Sequence, residues 1–131
     1  MNENSNPGNA RILDGTLVSK VVLSAVREAV DEHVEAGGKR PGLAVVLVGS
    51  DPASRIYVQA KRRDGEKAGI VTYDYDLPAD TGQDELLTLI DKLNNDDDIH
   101  GVLVQLPLPP QIDEIAVTNS ISSSKDVDGF H

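Results

Sequence analysis

Helix-like and strand-like hydrophobic patterns alternate along the chain. Over residues 17–36, apolar residues recur at Val18, Val21, Val22, Ala25, Ala29 and Val30. That three-and-four spacing predicts a helix with one buried stripe. Asp14 stands where it can cap the helix, and Glu28, Asp31, Glu32 and Glu35 belong on the wet side. Gly37 and Gly38 end it, and Pro41 forbids its continuation. Residues 43–48 form an unbroken, valine-rich run of strand length, which suits a parallel strand covered on both faces. Gly49 and Ser50 turn the chain. Asp51 is a good N-cap, Pro52 fits the first helical position, and Gly69 stops this second helix. Residues 70–77 alternate loosely, as a strand nearer an edge does, and Pro78 ends them. Thr81-Gly82-Gln83-Asp84 resembles a capping box, with Asp where Glu is usual. The helix behind it, to about Leu93, turns Leu86, Leu89, Ile90 and Leu93 inward. Residues 101–106 read as a third strand, expected to be central, and 112–120 as a short helix. Residues 11–13 read as a short strand or a docking segment.

The order αβαβαβα, with right-handed crossovers, predicts an α/β fold: a three-layer αβα domain with a mostly parallel sheet. A length of 131 residues suffices for one such domain. Residues 1–10 are polar and read as a loose tail, neither a signal nor a transit peptide. No apolar run approaches the ~18 residues of a membrane span, so no membrane partner is expected. The net charge of −10 argues against a nucleic-acid surface. The absence of cysteine excludes a disulfide framework and thiolate metal sites, and suits the cytoplasm. His33, His100 and His131 share no ligand spacing. Asp96, Asp97 and Asp98 lack the spacing and the glycine of a calcium loop, so they read as a solvated acidic turn and no metal site is expected.

Positive charge gathers in the second helix at Arg55, Lys61, Arg62, Arg63 and Lys67. Arg62, Arg63 and Lys67 read as a solvated face. Lys61 shares its face with Tyr57 one turn earlier, their Cβ atoms roughly 5–6 Å apart, and Ser54 lies a turn before that. This helix begins at the carboxyl end of a strand, where open α/β sheets place their ligands. A phenol, an amine and a hydroxyl thus converge near a crevice. The same spacing also describes an ordinary surface helix, because Tyr-x-x-x-Lys is weak as a bare pattern. Gln105 interrupts an apolar run near a strand's carboxyl end. A buried amide needs partners, so it is either a structural hydrogen-bonder or a site residue. Pro107, Pro109 and Pro110 stiffen the next loop, and X-Pro bonds are where cis peptides occur. Asp126 and Asp128 would face opposite ways if their segment is extended.

Three segments, VGSDPASRIYVQAK, GVLVQLPLPPQID and KDVDGFH, stand in an order and spacing that resemble one family. Over about residues 11–131 the chain is similar to the bifunctional methylenetetrahydrofolate dehydrogenase/methenyltetrahydrofolate cyclohydrolases. The resemblance implies a cytoplasmic, homodimeric enzyme of one-carbon metabolism and purine biosynthesis. It implies oxidation of 5,10-methylenetetrahydrofolate with NADP, and hydrolysis of the methenyl product to 10-formyltetrahydrofolate. Residues 11–131 would be the folate-binding catalytic domain.

Residue by residue, the resemblance makes Lys61 the catalytic lysine, with Tyr57 packing on the folate and Gln105 bonding near Lys61. Asp128 would bind the pterin edge, while Ser54, Leu106 and Pro107 line the site. The chemistry is consistent: a pterin offers an aromatic face and a donor–acceptor edge, which one ring and one carboxylate can read. A lysine whose pKa is lowered by burial can shuttle protons. The family's NAD(P)-binding domain and its final helix, which packs back on the catalytic domain, have no counterpart here. No G-x-G-x-x-G occurs, so NADP is expected to bind outside this chain, with no cofactor-binding residue within it. The chain departs from the family at Gly65, mid-helix, and at the serines 122–124. Two other readings compete: a folate-binding module without turnover, and a flavodoxin-like interaction domain, which gives VQLPLP and KDVDGF no role.

Overall fold

The computed structural model describes residues 12–130. The expected tail, Arg11 and His131 lie outside them. Four helices and three strands follow the expected order: α1 (Gly15–Glu35), β1 (Gly42–Val48), α2 (Pro52–Lys67), β2 (Val71–Leu77), α3 (Gln83–Asn94), β3 (Gly101–Val104) and α4 (Glu114–Ser120). Their ends have local causes. The Asp14 carboxylate accepts from the backbone N–H groups of Thr16 and Leu17, and so caps α1. Asp113 does the same for α4 at Ile115 and Ala116. Gly37 and Gly69 take φ of 94° and 79°, the left-handed conformation in which glycine ends a helix without steric cost.

The sheet is parallel, in the order β2-β1-β3. β1 pairs with β2 from Gly42↔Val71 to Val48↔Leu77, and with β3 from Leu43↔Gly101 to Val46↔Val104. As the middle strand, β1 is buried on both faces, which its unbroken apolar run anticipated. Ala44, Val46 and Val48 pack with Val102 and Val104 of β3 against Leu86, Ile90 and Leu93 of α3 and Val117 of α4. Val45 and Leu47 face the other way and pack with Leu103 on Val58 of α2. Helices therefore cover both faces, giving three layers. From β1 the chain steps outward to β2, then returns past β1 to β3. The carboxyl ends of β1 and β3 thus flank a topological switch point, the crevice where such sheets bind ligands.

Several expectations need correction. β3 is shorter than expected and lies beside β1, not between two strands. It is nevertheless fully buried, because residues 125–126 run along its outer edge. The Val102 N–H bonds to Lys125 O at 2.8 Å, and Val102 and Asp126 form an isolated parallel bridge. Of the expected α1 stripe only Val30 is buried: Val18, Val21 and Val22 are 49%, 61% and 54% exposed, and Ala25 and Ala29 are exposed too. Helical spacing fixes that a stripe exists, not which stripe meets the core. The inward residues are Val30, with Leu23 and Val34 half-buried.

Thr81 forms no capping box. It is buried and its hydroxyl donates to Pro78 O at 2.7 Å, while Gly82 is the N-cap without a side-chain bond. Ile12 and Leu13 belong to no strand and are exposed. Arg62 is not simply solvated. Its side chain is 20% exposed, with Nε 2.6 Å from Asp74 Oδ1 and a terminal guanidinium nitrogen 2.7 Å from Asp76 Oδ1, tying α2 to the edge strand β2.

Candidate active site

The β1–α2 connection is built by one carboxylate. Asp51 Oδ2 accepts from the Ser54 N–H and from the Ser54 hydroxyl, each at 3.0 Å. This closes the first turn of α2 at the carboxyl end of β1. Ser54, expected to line the site, is 2% exposed with its hydroxyl on Asp51, so its visible work is holding the helix start. Below it, Val58 and Gly65 complete the buried side of α2. Tyr57 and Lys61 follow along the helix: Tyr57 is 60% exposed and Lys61 is half-buried.

Lys61 meets the other side of the switch point. Its Nζ donates to Gln105 Oε1 at 3.0 Å. Gln105 is the first residue past β3, and its backbone N–H bonds to Val46 O at 2.9 Å, continuing the ladder. Its side-chain amide donates to Leu106 O at 2.9 Å. The amide is thus satisfied at both ends, with its oxygen turned to the lysine. Leu106 is half-buried and packs against the core, and Pro107 is exposed. The peptide bond between them is cis.

Asp128 is exposed on the segment that follows the β3 edge. This segment is a turn rather than an extended strand: Asp126 Oδ1 accepts from the N–H groups of Asp128 and Gly129 at 3.2 and 3.1 Å. Thus Lys61 and Gln105 meet at the switch point with Leu106 and Pro107 next in the chain, Tyr57 lies one turn before Lys61 on α2, Ser54 holds the start of that helix, and Asp128 stands on the loop beside β3. A groove of about 740 Å³ runs along α1, lined by Lys20, Arg27, Glu28, Asp31, Glu32 and Lys67 among others, and holds none of these residues. Its walls mix both charges and bring no reactive group to the sheet's carboxyl ends.

Other polar residues proved to hold the site loops, with no signal of it in the hydrophobic pattern. Gln111 donates to Ala79 O at 2.7 Å and Thr81 O at 3.0 Å. Glu114 accepts from the Leu108 N–H at 3.0 Å. Gln83 accepts from the Asp113 N–H at 2.8 Å. These bonds fasten the proline-rich loop after β3 to the β2–α3 turn and to α4. Such partners are distant in sequence, so only the fold brings them together.

Residues 13–128 match the model of the tetrahydrofolate dehydrogenase/cyclohydrolase catalytic domain. Among solved structures, the chain is similar to the bifunctional methylenetetrahydrofolate dehydrogenase/cyclohydrolase of Campylobacter jejuni, at 45% identity over 90% of this chain, TM-score 0.87. It is also similar to the 5,10-methylenetetrahydrofolate dehydrogenase of the silkworm Bombyx mori, at 36% identity over 93%, TM-score 0.90. The Trypanosoma brucei dehydrogenase-cyclohydrolase, solved with NADP cofactor and inhibitor, matches at 34% identity over 89%, TM-score 0.84. The chain spans 42%, 42% and 40% of the lengths of these three. The chain belongs to the tetrahydrofolate dehydrogenase/cyclohydrolase family, whose catalytic domain it carries.

Proposed function

We propose that this domain binds a reduced folate at the carboxyl ends of β1 and β3 and opens its methenyl bridge with Lys61 as the proton-transfer group. The observation that carries the proposal is the 3.0 Å bond from Lys61 Nζ to Gln105 Oε1, which fixes a primary amine at the switch point. In hydrolysis of 5,10-methenyltetrahydrofolate, water adds to the bridge carbon and loses a proton. The bond from that carbon to N5 then breaks, N5 takes a proton and the new hydroxyl gives up its own, so the formyl group stays on N10 and one proton is released overall. Lys61 relays the proton from the water to N5. Gln105, being uncharged, orients the amine without holding it in its protonated form as a carboxylate would. Tyr57, largely exposed beside the lysine, offers its ring to the pterin face, Asp128 accepts from the pterin edge, and Leu106 and Pro107 shape the wall.

In the whole protein, the same bound folate is oxidised from the methylene to the methenyl state with NADP, in a cytoplasmic homodimer. The start of α2 does not fit the pyrophosphate of NADP. The α2 N-terminus, where a dinucleotide fold would seat a pyrophosphate, already has the Asp51 carboxylate on its N–H and hydroxyl donors, and a second anion there would be repelled. No part of hydride transfer is assigned to these residues beyond holding the folate.

A second reading, a folate-binding module without turnover, is favoured by the 60% exposure of Tyr57: an open cleft excludes little water. Hydrolysis of 5,10-methenyltetrahydrofolate by the protein and by Lys61→Ala separates the two. Loss of about 10²–10⁴-fold in rate with folate binding retained supports the catalytic role. Full activity in Lys61→Ala removes it.

A further inference from the structure

We infer that Lys125 is a positioning residue for folate binding: by clamping the end of α3 to the edge of β3, it sets where Asp128 stands. The inference rests on the folate reading above. Lys125 Nζ donates to Leu93 O at 3.1 Å and to Asp96 O at 2.9 Å. Leu93 is in the last turn of α3, whose final carbonyls lack helical partners and carry the negative end of the helix dipole. An ammonium with three donors adds to the Leu93 carbonyl and to the Asp96 carbonyl in the turn just beyond the helix, which also accept from the N–H groups of Asp96 and Ile99.

The same residue is fixed by its backbone. Its N–H bonds to Ser122 O at 2.8 Å, and its carbonyl accepts from the Val102 N–H of β3 at 2.8 Å. Lys125 therefore joins three things: the α3 terminus, the loop after α4 and the outer edge of β3. The segment beyond it is short and tightly specified. Asp126 bridges to Val102, and its Oδ1 holds the N–H groups of Asp128 and Gly129. Val127 lies over Gly101, so close that a Cβ there would stand 2.7 Å from Val127 Cγ1. Gly129 takes φ of 71°, which turns the chain after Asp128. Only two residues separate Lys125 from Asp128, and each is tied to β3 or to the turn.

Asp128 itself is exposed, and only its backbone N–H enters the turn, through Asp126. Its carboxylate is placed by its backbone, and its backbone by this clamp. Losing the ammonium would leave the Leu93 and Asp96 carbonyls with their backbone partners, the N–H groups of Asp96 and Ile99, but would remove the side-chain tie to the α3 terminus and free the start of the segment to move. The expected consequence is weaker ligand binding, not a lost chemical group.

The test is a double-mutant cycle on tetrahydrofolate binding, measured by calorimetry with folding checked by circular dichroism. Asp128→Ala is expected to weaken Kd about tenfold and Lys125→Met about fivefold. The double variant is expected to stay near tenfold, because Lys125 acts through Asp128. Lys125→Arg, which keeps the charge and the donors, is expected to restore most of the affinity. If Lys125→Met does not fold, Lys125→Gln, which keeps two N–H donors, takes its place in the cycle. Unchanged affinity in the folded Lys125 variant, unchanged affinity in Asp128→Ala, or a fully additive fiftyfold loss in the double variant overturns the inference. Failure of the unaltered protein to bind tetrahydrofolate overturns the folate reading itself, and the inference with it.

Discussion

Lys39 and Asp98 show how a single contact reshapes an acidic cluster. Lys39 Nζ lies 2.9 Å from Asp98 Oδ1, and this hydrogen bond, then the lysine's charge, holds the Asp98 carboxyl below its ordinary value. The same bond and charge raise Lys39. A carboxyl depressed by folding stabilises the fold above its unfolded pKa, and that contribution is lost as pH falls through the lower folded value. A raised lysine stabilises below its unfolded pKa and loses the contribution as pH rises through its folded value. The Asp98 share therefore fades in acid, below about pH 4, and the Lys39 share in strong base, above about pH 10. Both groups are at the surface, so the effect on stability is small. The sharper readout is an NMR titration of Asp98, expected to midpoint below the ordinary carboxyl value and to move up toward it in Lys39→Ala. The same midpoint in both proteins would show that the pair does not form in solution.

Residue chemistry was legible in sequence where it is local. Asp14, Asp51 and Gly69 act at the ends of their own helices. Tyr57 and Lys61 share a face because four residues make about one turn. Gln105 could be singled out from its place in the pattern, but its partner Lys61, 44 positions away, was named only through the family resemblance. Lys125 stands in the KDVDGFH segment, but its role gave no signal, because its partners are carbonyls at and just beyond the end of another helix.

At the level of elements, the chain order, the strand β1 and the edge position of β2 could be read directly, whereas the orientation of α1 could not. An apolar stripe is a property of one helix, but burial is a property of two surfaces. Two substitutions separate the faces of α1. Val22→Glu is expected to change stability by less than about 0.5 kcal/mol, as at other exposed sites. Val30→Ala, on the face that meets the rest of the molecule, is expected to cost about 1–2 kcal/mol. Equal costs in urea unfolding would mean that α1 sits differently on the domain.

Gly65 is a second case. Mid-helix glycine costs about 1 kcal/mol relative to alanine, so sequence alone suggests Gly65→Ala as a stabilising change. In the fold, Gly65 is buried against β2, and a Cβ there would stand 3.0 Å from Thr72 Cγ2. The close approach of α2 to the sheet uses the missing side chain. Gly65→Ala is therefore expected to lower stability by about 1 kcal/mol, the overpacking loss exceeding the helix gain. With Thr72→Ser, which removes that methyl, the same change is expected to stabilise. A stabilised single variant would refute the close approach.

For the whole molecule, the topology brings Lys61 and Gln105 together across the switch point. β1 delivers α2 with Tyr57 and Lys61, β3 delivers Gln105 to the lysine, and the segment after α4 returns along β3 with Asp128. The string VQLPLP leaves the carboxyl end of β3, and KDVDGF returns along the outer edge of the same strand, with Asp126 bridged to Val102. Their order could be matched in sequence, but the polar clamps that hold them, through Gln111, Glu114 and Lys125, appear only in the folded chain. No helix among the described residues is long and apolar enough to cross a membrane.

The most direct measurement is hydrolysis of 5,10-methenyltetrahydrofolate by the purified 131-residue protein, above the spontaneous rate and beside Lys61→Ala. Hydrolysis that falls about 10²–10⁴-fold in Lys61→Ala, with tetrahydrofolate still bound, is the expected result. It would mean that the amine held by Gln105 does the proton transfer within this domain. Equal hydrolysis by both proteins would contradict that role for Lys61. No hydrolysis by either, with folding and folate binding intact, would leave the domain a binding module and contradict catalysis by these residues alone.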